Sequence, residues 1–138
     1  MNTEPDAQLD VESMAAMMPF TAALGVRLRK AEAAEVQATM AWRADLCTTF
    51  GALHGGAVMA MADSVGGICA FLNLPAGATT STIESKTNFF RGVREGELHS
   101  TTRPLHVGRT TIVVQTDLHD DRGKRVAQVT QTQAVISS

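Results

Sequence analysis

Apolar and polar positions alternate from Glu35 to Trp42: Val36, Ala38, Met40 and Trp42 share one parity, with Glu35, Gln37, Thr39 and Ala41 on the other. A two-residue period marks a strand with one buried face. Val26 and Leu28 predict an earlier partner strand, joined through the charged stretch from Lys30 to Glu35. The pattern then changes. From Gly56 to Asn73 the chain is apolar almost throughout, rich in Ala and Met, with Asp63 as its one charged residue. Those residue types favour a helix over a strand, and a helix apolar nearly all round must be wrapped by other elements. The wrapping follows. "TTSTIESKTNFF" (79–90) and "ELHSTTRPLHV" (97–107) are rich in β-branched residues or broken by turns. Residues 109–137 read as two long strands around a turn at Asp120 to Lys124, with Ile112, Val114, Thr116 and Leu118 on one face. A short helix over residues 10–18 ends before Pro19, because the residue ahead of a proline disfavours helical geometry.

The order is thus two strands, one helix, then about four strands, with no internal repeat or linker. The simplest α+β solution is the hotdog architecture, an antiparallel β-sheet wrapped around one long central helix. At 138 residues the chain is one domain long. Residues 1–19 form an N-terminal extension with the short helix, and residues 20–138 the hotdog domain. Open sheet edges and a half-covered helix call for a second copy, so a homodimer is the expected minimal unit.

Composition narrows the function. A net charge of −2 argues against a nucleic-acid-binding surface. Cys47 and Cys69 stand in no metal-type spacing, and Cys69 reads as a buried free thiol suited to a reducing compartment. The first twenty residues carry Glu4, Asp6, Asp10 and Glu12 and no basic leader. The run 57–72 is too short and too interrupted to span a bilayer. These features predict a cytoplasmic protein without membrane or nucleic-acid partners.

Asp63 is then the anomaly. Asp is a poor helix former, the surrounding turns are apolar, and no basic residue lies within helical reach. A carboxylate buried in an apolar cleft is suited to act as a base or a nucleophile. Gly55 and Gly56 open the same helix, where free N–H groups gather and a carbonyl can approach. Such donors stabilise the oxyanion of acyl transfer. Eight positions separate Gly55 from Asp63, about 12 Å along a helix and about 80° in direction. One carbonyl cannot reach both within one chain, so cooperation requires the donor of one subunit and the carboxylate of its two-fold mate.

"FGALHGGAVMAMAD" (Phe50 to Asp63), "TIESKTNFFRG" (Thr82 to Gly92), "HVGRTT" (His106 to Thr111) and "GKRVAQVTQT" together resemble the hotdog-fold acyl-CoA thioesterases over roughly residues 20–135. The likeness is greatest to the PaaI-like group, which includes phenylacetate-pathway and 4-hydroxybenzoyl-CoA thioesterases. The resemblance implies hydrolysis of an acyl-CoA or aryl-CoA thioester without metal or organic cofactor. It matches Asp63 to the acid that attacks the carbonyl or activates water, and Gly55 to the residue whose N–H polarises the thioester oxygen. His54 matches the motif histidine that shapes loop and pocket, and Thr82 a position that orients water or the acid. It further implies that such dimers pair into homotetramers.

Two departures from the family pattern stand out. Relatives often carry Asn or Gln six positions before the motif histidine, where this chain has Thr48, and a proline where it has Gly92. Phosphates of CoA call for cations, and Lys86, Arg91 and Arg94 cluster on one segment. Gly108 and Arg109 match the hairpin over which relatives pass the pantetheine arm. Met14, Met17, Met18, Met59 and Met61 suit either an acyl tunnel or plain core. Two other readings share the fold: a hydratase or dehydratase acting on enoyl thioesters, and a non-catalytic acyl-CoA-binding module.

Overall fold

The alternation along the chain becomes six strands in a computed structural model of the protein, which describes residues 11–137. Two short helices, α1 (Val11–Met17) and α2 (Pro19–Ala23), precede β1 (Val26–Glu32) and β2 (Glu35–Ala41). The long helix α3 (Gly55–Leu72) follows, then β3 (Thr79–Phe89), β4 (Glu97–Val107), β5 (Thr111–His119) and β6 (Arg125–Ile136). The strands form one sheet in the order β1-β2-β4-β5-β6-β3, antiparallel at every pairing, with β1 and β3 as its edges. All six strands pack against α3, the hotdog arrangement.

The core is the contact between these layers. Val36, Ala38, Met40, Leu98, Ile112, Val114, Leu118 and Val129 from the strands form one buried cluster with Val58, Met61, Ala62, Val65 and Cys69 of α3. The Val, Leu, Ile and Met side chains among them contribute about 1.5–3 kcal/mol each when fully buried. The face predicted on β5 is the buried one, and its Thr116 hydroxyl satisfies itself against Thr102 at 2.7 Å. The turn from Asp120 to Lys124 is present, with Asp120 Oδ1 accepting from the backbone N–H of Arg122 and Lys124.

Three expectations need correction. Trp42 leaves the strand, because β2 ends at Ala41 and the indole Nε1–H turns to the Gly51 carbonyl at 2.9 Å. The predicted short helix runs from Val11 to Met17, with residue 10 outside the described residues, and its Met14 is buried in the domain's core. Finally, α3 is 18 residues long, which by length and composition alone reaches the lower bound for crossing a bilayer. Nine of its residues are buried within the protein, so here it serves as the central helix of the core.

Both ends of α3 are tied by side chains. His54 is its N-cap, with Nδ1 accepting from the Gly56 N–H at 2.7 Å. At the other end Asn73 Nδ2 donates to the carbonyls of Cys69 and Ala33, each at 2.8 Å, which fastens the helix to the β1–β2 hairpin. One stripe of α3 is left uncovered by the sheet: Gly56, Met59, Asp63 and Phe71 are exposed, with Ala60 and Gly67 half-buried between them. Their three- and four-residue spacing places them on one face of the helix.

Candidate active site

Asp63 is exposed in the protomer, not buried as its apolar sequence context predicts. The sheet wraps only one side of α3, and Asp63 stands on the uncovered stripe. It nevertheless forms no ion pair among the described residues. Its partners are neutral. Thr82 Oγ1 donates to Asp63 Oδ1 at 2.9 Å, and Gln131 Nε2 donates to the same oxygen at 2.6 Å. A cleft of about 320 Å³ opens beside the carboxylate, lined by Met18, Phe20, Thr21, Ser64 and Thr80 among others.

The hydrogen bonds extend behind the acid. Gln133 Nε2 donates to Thr82 Oγ1 at 2.9 Å, and Thr80 Oγ1 donates to Gln133 Oε1 at 3.1 Å. A register shift between Thr82 and Glu84 makes this geometry possible. Without it Thr82 and Glu84 would face one side; with the extra residue Ile83, Thr82 shares the helix-facing side with Ser85, Thr87 and Phe89. Gln131 and Gln133 lie outside the site residues expected from sequence. A signal existed: Val129, Gln131 and Gln133 share a parity on β6, so two amides occupy inward positions where apolar residues are the rule.

Gly55 lies elsewhere. It is the first residue of α3, and its N–H has no protein acceptor among the described residues, whereas the Gly56 N–H is taken by His54. Gly55 lines a separate cleft of about 360 Å³ with Leu53, Val58, Phe89, Phe90, Arg91 and Val126. The Phe89 ring closes on it so tightly that a Cβ added at Gly55 would stand 3.1 Å from Cζ. The free donor and the carboxylate therefore face different clefts of one chain.

The remaining predicted residues divide accordingly. Arg91 borders the Gly55 cleft and also a neighbouring one of about 410 Å³, which it lines with Arg94, Asp120 and Arg122. His54 and Thr48 are exposed on and before the helix entrance and line neither the Asp63 nor the Gly55 cleft. Gly108 and Arg109 form the β4–β5 turn and also line neither. That turn adjoins the end of β6 through the bond from Val135 N–H to the Thr110 carbonyl, on the side of the sheet where β3 begins. Of the five methionines suited to an acyl tunnel or core, Met14 and Met61 are core, Met18 lines the Asp63 cleft, and Met17 and Met59 are exposed.

Two further groups bear on chemistry. Cys69 is buried, which pushes its thiol up to about 11 and keeps it protonated. Glu97, His99 and Asp121 form the one cluster of three potential metal ligands among the described residues, with ligand atoms within 4.8 Å. His99 Nε2 and Asp121 Oδ1 pair with each other at 2.7 Å, and this bond holds the Asp121 carboxyl below the usual carboxylate range.

Comparison with known proteins agrees with this architecture. The profile of the thioesterase superfamily matches residues 50–127, the stretch from the loop before α3 into β6. The chain is 30% identical over 101 residues to the 1,4-dihydroxy-2-naphthoyl-CoA hydrolase of Escherichia coli, covering 73% of this chain and 74% of that protein. It is 31% identical over 106 residues to the proofreading thioesterase EntH of Klebsiella pneumoniae, covering 77% of each. In structure it matches a thioesterase from Haemophilus influenzae with a TM-score of 0.88 at 26% identity, over 99% of this chain and 93% of that one.

Proposed function

The chain belongs to the thioesterase superfamily, and on that premise we propose that it hydrolyses a CoA thioester to the free acid and CoA at a site shared between two copies. One protomer contributes Asp63 and its partner the Gly55 N–H. The observation that carries this reading is the division of labour within one chain: a free amide donor in one cleft, a carboxylate in another, and an uncovered apolar stripe on α3 between them. A second copy laid over that stripe brings the two halves together and also withdraws Asp63 from solvent. Edge strand β3, next to Asp63, is open to pair with its own copy.

In this mechanism the Gly55 N–H and the positive end of α3 polarise the thioester carbonyl. Water attacks the carbonyl carbon while Asp63 takes its proton, or Asp63 attacks first and water cleaves the resulting anhydride. The C–S bond breaks, CoA leaves as the thiolate, and that thiolate takes up a proton. Either route consumes one water and needs no metal or organic cofactor. Thr82 orients the carboxylate, and His54 presents the helix entrance. Thr48, in place of the longer amide of relatives, Arg91, Gly108 and Arg109 contact substrate, the arginines serving the CoA phosphates. The acyl group is an aliphatic or aryl acid, the dimers pair into a PaaI-like homotetramer, and the enzyme works in the cytoplasm.

The test is release of free thiol from a panel of acyl-CoA and aryl-CoA substrates by wild type, Asp63→Ala and Asp63→Asn. The expected result is turnover by wild type alone; variants as fast as wild type would sink the mechanism. Label recovered in the Asp63 side chain after single turnover in ¹⁸O-water would mark the anhydride path, with water attacking the Asp63 carbonyl.

A further inference from the structure

Gln131 occupies a place that stability alone does not justify. It is fully buried on the inner face of β6, and its Oε1 has no hydrogen-bond partner. A buried amide with an orphaned oxygen is a liability, and such groups in a native fold call for an explanation. The chain also makes room for it. A Cβ on Gly66 would overlap the Gln131 amide oxygen and lie 2.7 Å from its Cδ, so the glycine in the middle of α3 lets the amide cross the helix.

What that placement achieves is seen at Asp63. Gln131 Nε2 donates to Asp63 Oδ1 at 2.6 Å, and Thr82 Oγ1 donates to the same atom at 2.9 Å. Oδ2 has no partner among the described residues. Gln131 Nε2 also stands 3.4 Å from both the Asp63 carbonyl and Thr82 Oγ1, so one amide gathers the carboxylate, its backbone and its hydroxyl partner.

We propose that Gln131, admitted by Gly66, is the positioning residue of the reacting carboxylate: it and Thr82 saturate Oδ1 and leave Oδ2 as the oxygen that does the chemistry. This rests on the reading of Asp63 as the acting acid. Two donors on one oxygen fix the rotation of the carboxylate about its Cβ–Cγ bond. The acid is thereby held aimed even though it stands on an exposed helix face.

The experiment compares wild type, Gln131→Met, Gly66→Ala and Asp63→Asn in the thiol-release assay, with kcat, KM and the melting temperature of each. Gln131→Met keeps the side chain's length and removes both amide groups. It is expected to melt no lower than wild type and to lose kcat about tenfold to a hundredfold with KM nearly unchanged. A residue serving the fold alone would lower the melting temperature and leave kcat in place. Gly66→Ala favours the helix but displaces the amide, so it should reproduce the kinetic loss and add nothing in a Gln131→Ala background. Wild-type kcat in both Gln131→Met and Gly66→Ala, beside an inactive Asp63→Asn, would overturn the assignment of Gln131 alone. An Asp63→Asn variant as active as wild type would overturn the underlying reading instead.

Discussion

Pairing Gly55→Pro with Asp63→Asn tests whether the two halves of the site come from different chains. Proline removes the one N–H that the site is proposed to use, and the fold tolerates it there. Gly55 is the first residue of α3, a position where proline's fixed φ suits the helix. The preceding residue must be extended, and His54 already is, at φ −63° and ψ 136°. The new ring carbons must displace Phe89, which at 51% exposure has room to swing outward. Loss of one oxyanion donor lowers kcat by roughly a hundredfold to a thousandfold, and Asp63→Asn removes the acid. Each variant alone is therefore nearly inactive. If the two are unfolded, mixed in equal amounts and refolded together, a site is intact only where an Asp63→Asn chain supplies Gly55 and a Gly55→Pro chain supplies Asp63. Random pairing makes that about a quarter of all sites, so the mixture should recover about a quarter of the wild-type rate. The assay is thiol release at saturating substrate, with each variant refolded alone as the control. A mixture no faster than the average of its parents would refute the shared site.

Other consequences follow from individual contacts. Thr82→Val removes a hydroxyl that donates to Asp63 and accepts from the buried amide of Gln133. The orphaned amide should cost about 1–2 kcal/mol in urea unfolding and kcat should fall, whereas an unchanged midpoint would mean the network bears no load. His54→Ala deletes the cap on the Gly56 N–H and should lower stability by about 1 kcal/mol, read from the same titration. Burial pushes the Cys69 thiol up to about 11, so iodoacetamide at pH 8 should label Cys47 and spare Cys69 until the protein unfolds, as peptide mass spectrometry would show. The sign of the linkage follows: between pH 9 and 11 the unfolded chain loses this proton before the folded one. Cys69 thus contributes a decline in stability as pH rises through that window, and the Cys69→Ala variant should show a shallower one.

Much of the architecture is local physics and was legible in the chain. The period of two in β2 and β5 reports which side chains face the helix, and the Ala- and Met-rich run after Gly55 reports the helix itself, because these patterns depend only on a residue's own neighbours. The free N–H of Gly55 and its separation from Asp63 came from helix geometry that any α-helix obeys. The residues behind the acid were harder to see. Gln131 and Gln133 are 68 and 70 positions beyond Asp63, brought to it by a strand order in which β6 lies beside β3, and by one extra residue at Ile83 that turns Thr82 inward. Sheet order and bulge position are settled by packing between distant segments, which no local pattern encodes. The same limit explains the error at Asp63: sequence shows that its neighbours are apolar, but which side of a helix a six-stranded sheet covers is decided only when the sheet closes around it.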